Sequence, residues 1–171
     1  MSVEFEDFTI RVLAAIDEKA IGFLYEQAGE LTAQIKRNVP SGKDYNSQLK
    51  DSFSYQIDES KLEATIGSPL ERALWNEYGT GEFSDSAKGG RKGYWVYVKG
   101  NTPADEGGYD YYTGGKEYTL EEAKQIVAMM RADGLDARYT KGQYPKRSMR
   151  NAYIKMKPKI IREAQKRFKE L

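Results

Sequence analysis

The chain contains neither cysteine nor histidine. The first absence excludes disulfides and thiolate chemistry. The second removes the usual general base near neutral pH, the usual zinc ligand and any Ser-His or Cys-His dyad. No apolar run approaches the ~20 residues of a membrane span, so no membrane partner is expected. The opening residues Met1–Asp7 lack the basic and apolar regions of a signal peptide.

What is present suits one domain over residues 1–171, with 39% hydrophobic and 31% charged residues. The net charge of +1 hides an asymmetry. Residues 1–30 carry seven carboxylates, Glu4, Glu6, Asp7, Asp17, Glu18, Glu26 and Glu30, against Arg11 and Lys19. Residues 138–171 carry twelve lysines and arginines against Glu163 and Glu170. A basic end of this kind can bind nucleic acid or an acidic protein surface. It can equally be neutralised by the acidic N-terminal helix of the same chain or of a neighbour.

Apolar residues step by about four from Phe8 through Val12, Ile16, Ala20, Leu24, Ala28, Leu31 and Ile35, predicting a long first helix. It stops at Val39-Pro40-Ser41-Gly42. Thirty helical residues reach about 45 Å, so the helix must span the domain or project from it. Phe53, Tyr55 and Ile57, then Leu62, Ala64 and Ile66, alternate with polar residues and predict a hairpin packed on that helix. Leu70, Ala73, Leu74 and Tyr78 predict a short helix with one apolar face, closed by Gly79 and Gly81.

Residues 82–93 read as a mobile polar loop. Tyr94–Val98 is the strongest strand signal, and Tyr109–Thr113 a candidate return. Thr119 and Glu122 form a capping box for a helix with Leu120, Ala123, Ile126, Val127 and Met130 on its apolar face, ended by Gly134 and Leu135. Leu135–Thr140 is a short strand candidate. A last helix begins near Lys146, with Met149, Tyr153, Met156, Ile160, Ala164, Phe168 and Leu171 as its stripe. Pro158 should kink or divide it. The expected class is α+β, an antiparallel sheet packed against a long N-terminal and a C-terminal helix.

Candidate chemistry is sparse. Gly79-Thr80-Gly81 is no phosphate loop, because a helix precedes the glycines. Gly89–Gly93, with Arg91 and Lys92, could contact an anion. Asp105 with Glu106, and Glu121 with Glu122, lack the further spaced partners that acid–base work or a metal would need. Tyr94, Tyr97, Tyr109, Tyr111 and Tyr112, with Trp95, read as strand packing plus an interface rather than a base-stacking platform. Lys146, Arg147 and Arg150 stand at the wrong end of their helix dipole, which implies an acidic partner. Glu77 is equally misplaced at its own helix C-terminus and needs either a specific partner or water. No catalytic residue, cofactor or metal ligand is assigned.

The run Ala73-Leu74-Trp75-Asn76-Glu77-Tyr78-Gly79-Thr80-Gly81 resembles the x-Glu-aromatic-Gly-Thr-Gly signature of a tailed-phage and prophage family of minor tail, or tail-completion and head–tail joining, proteins. The resemblance takes in the long helix, the hairpin Ser52–Gly67, the Gly142–Pro145 turn and a helix with Asn151-Ala152, so most of residues 5–165. Residues 100–140 look like an insertion with its own helix. The resemblance implies a fold similar to tail terminators and a non-enzymatic structural role. It further implies a homo-oligomeric ring, commonly six-fold, in the neck of the virion. The partners are then head-connector and tail proteins, the free protein a monomer, and the site of assembly the host cytoplasm. Trp75, Glu77, Tyr78, Gly79, Thr80 and Gly81 would form an interface corner, with Arg91, Lys92, Lys146, Arg147 and Arg150 as partner contacts. The alternative is a nucleic-acid-binding module using the basic C-terminal helix, and a histidine-free hydrolase comes third.

Overall fold

In the computed structural model, residues 9–40, 45–85, 90–99, 109–110 and 116–169 are described. Helix α1 covers Thr9–Asn38 and α2 covers Tyr45–Ser52. Strands β1 (Ser54–Asp58) and β2 (Glu63–Gly67) form an antiparallel hairpin that lies on α1. Helix α3 is Glu71–Tyr78, and β3 is Trp95–Lys99. Strand β4 is Tyr109–Asp110, α4 is Leu120–Ala132, β5 is Ala137–Thr140 and α5 is Ser148–Phe168. The class is α+β as expected, but the strands form two small antiparallel sheets rather than one.

Each sheet has its own core. Ile35 and Val39 of α1 and its end, Leu49, Phe53, Ala73 and Ala152 form the first. Val96, Val98, Ala123, Val127, Met130 and Ala137 form the second, where α4 covers β3 and β5. The α4 capping box forms as read: Glu122 N–H donates to Thr119 Oγ1, and Thr119 N–H to Glu122 Oε2 at 2.8 Å. At the other end Leu135 N–H reaches Met130 O at 3.0 Å past Gly134, at φ 83°, the six-to-one bond of a glycine-closed helix.

Helices α1 and α5 pack antiparallel, and part of the charge asymmetry is answered between them. Lys159 Nζ sits 2.6 Å from Glu30 Oε2, and Arg167 Nη2 sits 2.6 Å from Glu26 Oε2. Gln27 Nε2 donates to Glu163 Oε2, and Lys155 Nζ to Gln34 Oε1. The hydrogen bond that Lys159 donates to Glu30, more than the neighbouring Glu163, holds its ammonium above the ordinary pKa. Glu26 and Glu30 of the acidic end are thus paired with the basic end within one chain.

Several expectations are corrected. Helix α2 had no reading, because its sequence YNSQLKDS offers one periodic anchor, Leu49. Leu62 is not a strand residue. It sits in the turn at φ 53°, where Asp58 Oδ1 accepts from the amides of Ser60 and Lys61. Pro158 does not divide α5; it lies on the exposed side, where a freed carbonyl can meet water. The stripe of α5 is borne out at Met149 and Met156 but shifted at its edge: Ser148 and Ala152 are buried, whereas Tyr153 is exposed. Among the described residues no helix is long and apolar enough to cross a membrane.

Candidate functional site

Half of the predicted apolar face of α3, Leu74 and Tyr78, is turned outward, whereas Ala73 faces the core as expected. Leu74 is 58% exposed and Tyr78 is exposed too, while Arg72, Ala73, Asn76 and Glu77 are buried. The reason is what lies beneath. Glu77 Oε2 accepts from Met149 N–H and Oε1 from Arg150 N–H, both at 2.9 Å. These amides belong to the first turn of α5 and have no acceptor within that helix. Glu77 sits at the unfavourable end of its own helix because it caps the favourable end of another. The open question about its partner is answered by backbone amides.

The neighbouring groups complete the junction. Asn76 O accepts from Lys146 N–H at 2.7 Å and Arg147 N–H at 3.1 Å. Buried Ser148 donates through Oγ to Asn76 Oδ1 at 2.6 Å, with Asn38 O at 3.2 Å. Asn38 Nδ2 donates in turn to Ser148 O. The ends of α1 and α3 and the start of α5 therefore meet at one buried polar knot. Sequence reading missed Asn38, Asn76 and Ser148, since isolated polar residues carry no periodic signal.

Gly79-Thr80-Gly81 forms a clasp on the segment 141–145. Thr80 N–H donates to Gln143 O at 3.0 Å, Gln143 N–H to Thr80 Oγ1 at 3.1 Å, and Glu82 N–H to Lys141 O at 3.0 Å. Gln143 Nε2 donates to Trp75 O at 2.9 Å. The glycines are required twice over. Gly79 has φ 74°, and a Cβ there would lie 2.7 Å from Gln143 O; Gly81 has φ 60°, and a Cβ would lie 2.1 Å from Lys141 O. Opposite them, a Cβ on Gly142 would lie 2.0 Å from Thr80 O. The two backbones touch, and only glycine leaves room.

The expected partner contacts are largely answered inside the chain. Arg147 Nη2 lies 3.0 Å from Asp85 Oδ2, and Arg150 Nη1 lies 3.9 Å from it. Asp85 is the acidic partner expected beside that helix end. Arg91 donates to Lys116 O and stands 5.1 Å over the Trp95 ring. The side chains of Lys92 and Lys146 are exposed. The reading of residues 82–93 as wholly mobile is corrected at both ends. Asp85 N–H donates to Tyr78 O, Gly93 N–H to Glu82 Oε1, and a Cβ on Gly90 would collide with Gly81 O. Gly89 lies outside the described residues.

Of the aromatic cluster, Trp95 is buried beside Gly81, and Tyr94 meets Tyr139 edge-on at 5.8 Å. Tyr111 and Tyr112 lie outside the described residues, as do Asp105 and Glu106. Glu121 pairs with Lys124 on the helix surface, and Glu122 is the capping carboxylate. Among the described residues no three of His, Cys, Asp and Glu gather in a way that could hold a metal ion.

A buried carboxylate spent on backbone amides, and glycines spent on backbone contact, mark a structural corner. Residues 5–79 match the family HK97-gp10_like, described as Bacteriophage HK97-gp10, putative tail-component. The resemblance to a phage tail family is thereby borne out for that segment. The tail-component match covers α1, α2, the hairpin and α3, and stops at Gly79, so it is shorter than the span of 5–165 read from the sequence. Comparisons with curated proteins and with solved structures return no match.

Proposed function

We propose that the chain is a structural, non-enzymatic component of a tailed-phage or prophage virion, acting in tail completion and head–tail joining at the neck. The carrying observation is that the segment similar to phage tail components ends on Glu77 and Gly79, whose chemistry is consumed in holding helices together. In this reading Trp75, Tyr78 and the Gly79–Gly81 clasp form a rigid corner beside which exposed residues meet neighbours. Those neighbours are head-connector and tail proteins, and copies of the chain close a ring, six-fold by the family resemblance, after synthesis in the host cytoplasm. Residues 100–140 are an insertion on that frame.

The test is removal of the gene from the parent phage. Particles should then accumulate as separate heads and tails, and a labelled copy supplied in trans should locate to the neck. Normal joined particles, or a label elsewhere, would overturn the reading. The nucleic-acid alternative is disfavoured because Lys159 and Arg167 are committed to Glu30 and Glu26. It predicts a steep loss of duplex or single-strand binding with added salt.

A further inference from the structure

The α1–α5 pair is out of length register. Asn38 meets Ser148, Glu30 meets Lys159, and the Phe23 and Phe168 rings touch at 5.9 Å. Residues 9–22 of α1 therefore run past the end of α5 by about 21 Å at 1.5 Å per residue. No residue from Ile16 to Glu26 is buried, although Ile16, Ala20, Ile21 and Leu24 are apolar. A helix in water gains its stability from packing an apolar face; here Phe23 meets Phe168 and Tyr25 meets Tyr55, whereas Ile16, Ala20, Ile21 and Leu24 stay only half-buried.

A second uncovered surface lies on α5. Ile154, Pro158 and Ile161 recur at spacings of four and three, on the side opposite Ala152 and Met156. Ile154 is 61% exposed and Ile161 46%. Large exposed apolar residues grouped on one helix face mark an interaction surface. The two surfaces are complementary in charge. Asp17 and Glu18 are exposed on the overhang and outnumber exposed Lys19, and Glu4, Glu6 and Asp7 precede them in sequence; exposed Lys157 and Arg162 flank the α5 face. None of Asp17, Glu18, Lys157 and Arg162 has an ion-pair partner among the described residues.

One chain cannot bring these surfaces together. Helix α1 is continuous from Thr9 to Asn38, so its overhang points away from α5 and cannot turn back onto the outer face. We propose that the α1 overhang of one copy docks on the outer face of α5 of a second copy, acidic flank against basic flank. Donor and acceptor surfaces differ, so the contact is head-to-tail and can propagate into a ring or filament. This deepens the assembly reading above and names the surfaces it would use.

Cysteine is absent from the chain, so introduced thiols are unique. Full-length Ala20→Cys and Ile161→Cys variants are mixed and treated with a short bifunctional maleimide, both as free protein and in assembled particles. In at least one of the two settings the mixture should give a cross-linked dimer and the double variant a ladder, with Met129→Cys as an exposed control that gives neither. Charge reversal in D17K/E18K or in K157E/R162E should cut cross-linking by about tenfold, the effect of roughly 1.4 kcal/mol, and mixing the two reversed chains should restore it. Linking of Ala20→Cys to itself would mean that overhangs pair with each other. That result, or a mixture no better than the control in both settings, overturns the proposal. A chain located at the neck without this cross-link sinks the interface and spares the functional reading. The cross-link in a chain located elsewhere does the reverse.

Discussion

Replacing Glu77 by alanine leaves two helix-end amides buried without an acceptor. Hydrogen bonds to a charged group contribute about 1.5–3 kcal/mol, so the loss should be about 2–3 kcal/mol, a fall in Tm of roughly 5–10 °C. Glu77→Gln, which keeps one acceptor oxygen, should fall in between. An alanine variant that melts with the parent would refute the capping role. The glycines give a second contrast. Gly81 and Gly134 both have positive φ, but a Cβ at Gly134 meets nothing within 4 Å. Gly134→Ala should therefore cost only the left-handed penalty, about 1–2 kcal/mol. Gly81→Ala adds collisions with Lys141 O and the Trp95 ring and should cost clearly more by denaturant titration. Equal losses would mean that close approach is irrelevant at the clasp.

At the level of elements, acid and alkali should loosen different parts. The Thr119 amide first, and then its hydroxyl, hold the Glu122 carboxyl below the ordinary range. A lowered carboxyl stabilises the fold fully above its unfolded value of about 4 and loses that contribution as pH falls through the folded value. Hydrogen exchange at the start of α4 should speed up below about pH 4; Glu122→Gln should remove the pH-dependent part. The opposite sign applies to Lys159 and Tyr25, both raised chiefly by hydrogen bonds to Glu30 and Glu59. Their contributions are complete below the unfolded values and fade as pH rises through the folded ones, so the α1–α5 and α1–hairpin contacts should weaken above about pH 10. The sequence made α1, the α4 cap, its glycine closure and the hairpin legible, since each is written in local periodicity or a capping pair. The facing of α3 and α5 was only partly legible, for Ala73, Met149 and Met156 do face the core. Leu74, Tyr78 and Tyr153 look like core by spacing, but Glu77, Asn76 and Ala152 were chosen by what they meet more than 70 residues away. The clasp was half legible: its glycines announced special backbone, but nothing announced Lys141–Gln143 as their counterpart.

At the scale of the whole molecule, the segment 5–79 that matches the tail-component family holds an incomplete core. Ala152 and Met149 close its apolar cluster, and α5 supplies the amides that Glu77 caps. A fragment of residues 1–79 should therefore show no cooperative unfolding transition by circular dichroism. The second core stands apart, and Trp95 and Thr140 are cross-strand partners at its base. Joining those two residues through a Gly-Gly turn, with 96–139 removed, should leave a cooperatively folded remainder; loss of the transition would show that the first core depends on the second. The Glu77–Met149 bond spans 72 residues, which also orders events during synthesis. The ribosome releases chains from the N-terminus, so α1 and α3 emerge with their polar knot unanswered and their apolar cluster open. The α4 unit, whose contacts are local, can fold while they wait. Only α5 completes the first core, so that core stays open until residues 148–168 have left the ribosome.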